Sequence, residues 1–250
     1  MSRIPIGLQL YSVRHECERD LPGTLAEVAR MGYDGVEFAG YYGYSAEDLR
    51  KLLDDLDLKC CGTHIRLDTL LGDELPKTVA FNKTLGNPYL IVPGLAEERR
   101  NSRAAWQGTA RIFNDIAAKL RPQGMFAGYH NHHIEFQPMD GELPWDTFFG
   151  GTAKDVVMQL DTGNARDGGA DPGEFLAKYP GRALTVHLKE YSATNPAAYV
   201  GEGEEDWARV FGLCESIGKT KWYIVEYEVP GASALTAVAR CVENLRKMGK

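Results

Sequence analysis

Residues 156–164 read VVMQLDTGN, residues 184–191 read LTVHLKEY and residues 222–228 read WYIVEYE. Each stretch opens on a short apolar, β-rich run and closes on polar residues at alternate positions: Gln159 and Asp161, His187 and Lys189, Glu226 and Glu228. Alternate residues of a strand share a face, so each run predicts a strand with its ionisable groups on one side of its C-terminal end. Chemistry at the C-terminal ends of parallel strands, facing inward, is the arrangement of an α/β barrel.

The same alternation recurs on either side. Five further runs predict strands at Ile6–Tyr11, Tyr33–Phe38, Lys59–His64, Tyr89–Val92 and Met125–His132, and the opening stretches give Val156–Asp161, Leu184–Lys189 and Trp222–Tyr227. Between them, apolar residues return at helical spacing. Ser45 is placed to cap a helix, with Asp48 three residues on and Leu49, Leu52, Leu53 and Leu56 along one face. Trp106, Ala110, Phe113, Ala117 and Leu120 form a second stripe, and Leu235, Val238, Val242 and Leu245 a third. Pro172 suits a first helical position, and Asp206 a cap ahead of Trp207. Eight strand–helix units predict a single-domain (β/α)8 TIM barrel over residues 1–250, rather than an open doubly wound sheet. No GxGxxG turn follows the first strand, so a dinucleotide site lacks its phosphate-binding loop.

Composition narrows the partners. Hydrophobic residues make up 44% and charged residues 25%, ordinary values for a globular protein. The formal net charge is −7 and no Lys/Arg run exceeds two residues, which argues against a nucleic-acid or anionic-membrane surface. No apolar stretch approaches the length of a membrane span, so the default expectation is a cytoplasmic protein. Five cysteines, an odd count with no CxxC pair, argue against both a disulfide framework and a structural zinc knot. Homo-oligomer formation is left open.

Reading every strand end by parity fills the barrel mouth with polar groups. Strand one offers Gln9 and Tyr11, strand two Glu37, strand three His64, and strand five His130, His132 and, just beyond, Glu135. Strands six to eight add Asp161, His187, Lys189 and Glu226. Unpaired carboxylates are costly inside a barrel, so such a cluster requires a compensating charge. One divalent ion (Mn, Mg, Co or Zn) supplies it and keeps positions open for substrate oxygens.

The endings LDTGN, VHLKEY and IVEYE, with GVEF at 35–38 and VGEGEEDW at 200–207, resemble the xylose-isomerase-like barrel superfamily. That superfamily includes sugar phosphate isomerases and epimerases, inosose dehydratases, 3-dehydroshikimate dehydratases and type IV apurinic endonucleases. The resemblance spans nearly the whole chain. It implies metal ligation by Asp161, His187 and Glu226, with a strand-five ligand that epimerase-like relatives supply as glutamate. Here that position holds His130, a departure from the pattern. Glu135 is favoured as ligand if the strand bulges, with His130 and His132 left to contact substrate; His130 as ligand is the alternative. Candidate catalytic groups are therefore Glu226, Glu135, His130, His132 and Lys189. Candidate substrate contacts are Gln9, Tyr11, Glu37, His64, Asn164 and Glu202.

The leading expectation is a metal-dependent isomerase or epimerase of a small keto sugar or polyol. The metal would polarise the carbonyl, a carboxylate would remove the neighbouring proton, and a second group would return it elsewhere. The alternative is a lyase that lets the same enolate expel a β-oxygen substituent. A multi-metal nuclease would need more ligands than six histidines and a net charge of −7 favour, and a non-catalytic sugar-binding barrel leaves the inward ionisable groups without purpose. With no arginine-rich phosphate cradle, a free sugar is preferred over a sugar phosphate.

Overall fold

The computed structural model describes residues 3–229 and 233–250. Eight parallel strands, β1 (Ile6–Gln9), β2 (Gly35–Ala39), β3 (Lys59–His64), β4 (Tyr89–Val92), β5 (Phe126–His130), β6 (Val157–Asp161), β7 (Thr185–Leu188) and β8 (Trp222–Val225), pair in sequence order. β8 returns to β1, closing the barrel that the strand–helix alternation predicts. Helices follow the strands and pack outside, so the sheet is buried on both faces, as parallel sheets require.

The caps work as the sequence reads. The Ser45 side chain accepts from Asp48 N at the start of the helix Ala46–Asp55, and Asp206 accepts from Arg209 N ahead of Trp207. Pro172 sits in the first turn of its helix, where its missing N–H leaves no hydrogen bond unmade. The helix Arg103–Leu120 buries all five residues of its stripe. Phe113 meets Phe148 edge to face, centroids 4.9 Å apart. Such aromatic pairs add about 0.5–1.5 kcal/mol beyond the area they bury. All five cysteines are free and buried. No helix among the described residues is long and apolar enough to cross a membrane.

Several strands are shorter than their apolar runs, and this moves site residues. β1 stops at Gln9, whose side chain accepts from Tyr11 N and turns the chain into a 3₁₀ segment over Leu10–Val13. β5 stops at His130, and the chain turns into another 3₁₀ segment over Ile134–Phe136. Between β2 and β3 the register shifts: Val36 faces Cys60 but Glu37 faces Gly62, leaving Cys61 as the extra residue of a bulge.

Candidate metal centre

Four side chains from neighbouring strands converge at the C-terminal mouth. His130 ends β5, Asp161 ends β6, His187 lies on β7 and Glu226 follows β8. Each offers a ligand atom, these atoms all lie within 4.8 Å of one another, and all four residues are buried. His187 stands at the centre. Its Nδ1 is 2.8 Å from Glu226 Oε2 and 3.8 Å from Asp161 Oδ2, and its Nε2 is 2.7 Å from Glu37 Oε2. Asp161 also caps the helix Thr162–Asp167, Oδ1 accepting from Asn164 N at 2.6 Å. Lys189 Nζ donates to Glu226 Oε1 at 3.1 Å and Glu228 Oε2 at 2.7 Å.

A second polar layer lies against the first. Glu37 is fully buried and accepts from Gln9 Nε2 at 2.7 Å and Gln159 Nε2 at 2.8 Å. His64 Nε2 lies 2.7 Å from Gln159 Oε1 and 3.2 Å from Glu37 Oε2, and its ring stacks on that of His187.

Charge follows from these contacts. Burial alone would lower His187, but Glu37 and Glu226 outweigh it and raise the imidazole to about 10. Burial likewise opposes the charge on Lys189, and Glu226, Asp161 and Glu228 more than reverse it, so the ammonium persists. Burial works to raise Glu226, yet Lys189 and His187 hold it well below the usual carboxylate range. Asp161 goes the other way: burial lifts it to about 7 against the pull of Lys189 and His187. Burial pushes His130 well below the ordinary imidazole range, and the neighbouring His187 and His64 add to this, leaving it neutral.

The cluster fits a divalent ion on two counts. His130 Nδ1 and Asp161 Oδ2 are buried with no hydrogen-bond partner among the described residues. Each unmet group costs about 1–3 kcal/mol, and both belong to the converging set. Two imidazoles with two carboxylates are also a donor set that first-row divalent ions accept.

Residues 25–248 match the xylose isomerase-like TIM barrel family. The chain belongs to that family. The sugar phosphate isomerase/epimerase of Parabacteroides distasonis is 27% identical, covers 97% of each chain and superposes with a TM-score of 0.83. The inosose dehydratase of Erwinia tasmaniensis is 24% identical, with 87% of this chain aligned to 85% of that protein. The IOLI protein, solved with a zinc atom bound, has the same fold at 16% identity, 97% coverage of each chain and a TM-score of 0.75.

Within this xylose isomerase-like barrel, the expected residues divide. Asp161, His187 and Glu226 come together, and His130 rather than Glu135 completes the set. Glu135 lies apart because β5 ends before it without the bulge that would bring it back. Its buried carboxylate accepts from Tyr129 Oη at 2.6 Å and His132 N at 2.7 Å, which staples the turn after β5. His132 is exposed at the mouth, its ring 5.3 Å from that of His130. Lys189, Glu37 and His64 adjoin the cluster, and Gln9 serves Glu37. Tyr11 is 45% exposed beneath the Arg14 guanidinium, carried off the barrel's inner face by the turn after Gln9. Asn164 donates its amide to the Asn131 carbonyl. Glu202 pairs with Arg240 and Asn244 of the outer helix Ala234–Lys247, outside the cluster.

Other supporting residues went without a role in the sequence reading. Asn131 clasps the Asp161 backbone, its Oδ1 accepting from Asp161 N at 2.8 Å and its Nδ2 donating to Asp161 O at 3.1 Å. Thr162 Oγ1 donates to the Lys189 carbonyl at 2.7 Å, tying β6 to β7. Glu190 holds the following loop: Oε1 accepts from Tyr191 N and Glu205 N, and Oε2 from Gly201 N and Trp207 Nε1. A Cβ at Gly203 would lie 2.4 Å from Tyr191 O, so this close approach needs glycine. The glycine–glutamate pattern of VGEGEEDW was the available signal.

Proposed function

We propose that this chain is a divalent-metal-dependent lyase acting on a keto sugar or keto polyol. It removes the proton next to the carbonyl and expels an oxygen substituent from the carbon beyond. The observation that carries this reading is the 3.1 Å hydrogen bond between Lys189 Nζ and Glu226 Oε1. It joins an ionised carboxylate to an ammonium at the site, a base and an acid side by side.

Glu226 Oε1 takes the proton from carbon, and the C–H electron pair moves toward the carbonyl. As a carbon–carbon double bond forms, the bond to the β-oxygen breaks, and that oxygen leaves with a proton from Lys189. The products are an unsaturated ketone and water or an alcohol. The proton on Glu226 then passes to Lys189 across their hydrogen bond, restoring both groups. Glu228, 2.7 Å from Nζ, holds the ammonium in place. A divalent ion held by His130, Asp161, His187 and Glu226 would supply the Lewis acid that stabilises the enolate charge. His132, exposed at the mouth, would contact substrate there.

An isomerase or epimerase must hand a proton back to carbon. Glu135, the other carboxylate expected at the site, has both oxygens engaged outside the cluster. The inosose dehydratase relative supports elimination, since dehydration is this reaction with water as the leaving molecule. The Parabacteroides neighbour favours isomerisation or epimerisation as the second reading, with His64 or His132 returning the proton.

Product mass separates the two. Metal-loaded protein would be offered ketoses, inososes and 3-keto glycosides in deuterated water. Loss of water or aglycone is expected; a product of unchanged formula, carrying solvent deuterium, would establish the second reading instead.

A further inference from the structure

We propose that Glu37 is a positioning residue for the metal centre: it holds the proton of His187 on Nε2, so that Nδ1 presents its lone pair to the ion. The inference rests on the metal reading of the His130, Asp161, His187 and Glu226 cluster. It adds a function for a residue on the opposite side of the imidazole from those ligands.

The two ring nitrogens of His187 have different surroundings. Nδ1 faces the ligand carboxylates, 2.8 Å from Glu226 Oε2 and 3.8 Å from Asp161 Oδ2. Nε2 faces Glu37 Oε2 at 2.7 Å. Glu37 is aimed by the chain around it. The bulge at Cys61 sets Gly62 opposite Glu37, and a Cβ at Gly62 would lie 2.2 Å from Glu37 Oε1, so only glycine leaves room for the carboxylate. Gln9 Nε2 and Gln159 Nε2 then donate to its two oxygens, one each. With both oxygens fixed in this way, Glu37 is restricted to accepting from His187. A ligand histidine whose distal N–H meets a carboxylate is held in one tautomer and one ring orientation, and its basicity toward the metal rises.

Two measurements test this, and neither depends on turnover. Co²⁺ binding to wild type and Glu37→Gln would be followed by competition with a chelating indicator and by the cobalt absorption spectrum, with folding checked by circular dichroism. Glutamine has one acceptor oxygen and would turn its amide N–H₂ toward a donor that the carboxylate satisfied. Affinity is expected to fall about ten- to hundredfold with an altered spectrum, whereas a role in folding alone would leave the folded fraction binding as wild type does. Folded Glu37→Gln with wild-type affinity and spectrum overturns the inference. The second measurement needs no variant: in cadmium-loaded wild type carrying labelled histidine, scalar coupling should run from the metal to Nδ1 of His187. Coupling to Nε2 overturns the inference while leaving the metal reading intact. A wild type that binds neither ion overturns both.

Discussion

Asp161→Asn should make the metal-free protein more stable while abolishing metal binding. Asp161 is fully buried, its Oδ2 has no hydrogen-bond partner among the described residues, and its carboxyl is raised from 3.8 to about 7, chiefly by burial. A carboxyl raised in the fold contributes stability that is fully present below its unfolded value. That contribution is lost as pH rises through the folded value. At about 1.4 kcal/mol per pH unit, ionising Asp161 in the fold costs on the order of 4 kcal/mol at most. Asparagine avoids that cost and retains an oxygen to cap Asn164 N. The variant's advantage should widen by about 2–3 kcal/mol between about pH 5 and about pH 8. Urea denaturation of chelator-treated proteins, followed by tryptophan fluorescence, measures the gap at each pH. Adding a divalent ion at a hundredfold excess over its Kd should restore about 2.7 kcal/mol to the wild type alone. A variant no more stable than wild type at the higher pH, or a gap that ignores pH, would refute the reasoning.

Two further substitutions bear on the reaction and the extent of the site. Lys189→Met should lower kcat/KM by about 10²–10⁴ on substrates with poor leaving groups and much less on substrates with good ones; equal losses across a leaving-group series would remove Lys189 as the acid. Glu202→Ala should leave kcat/KM unchanged, because Glu202 bonds Arg240 and Asn244 of an outer helix; a large loss would mean that the VGEGEEDW loop reaches the substrate.

The barrel was legible because its strands announce themselves twice, by apolar runs and by polar residues at alternate positions near their ends. Asp161, His187 and Glu226 come together because each stands within one residue of the end of its strand, where parity still governs direction. Parity fails once the backbone leaves the strand. Parity points Tyr11 inward, but β1 ends two residues earlier, and ligation by Glu135 needs a bulge in β5 that does not form. The bulge that does form lies in β3, at Cys61, where sequence offered only two adjacent cysteines and a glycine. Asn131 and Glu190 escaped notice for a different reason. Apart from the Trp207 indole on Glu190, their partners are backbone groups, which leave no signature in side-chain pattern.

The loop between β7 and the helix beginning at Trp207 hangs on one carboxylate. Glu190 gathers donors at residues 191, 201, 205 and 207, so both ends of the excursion are knotted to a single side chain. Such a segment has few ways to loosen by degrees. Its amides become available to exchange with water in one cooperative event, when the knot is undone, or remain shielded together. On this side of the barrel the loop is fixed, and its shape is set during folding.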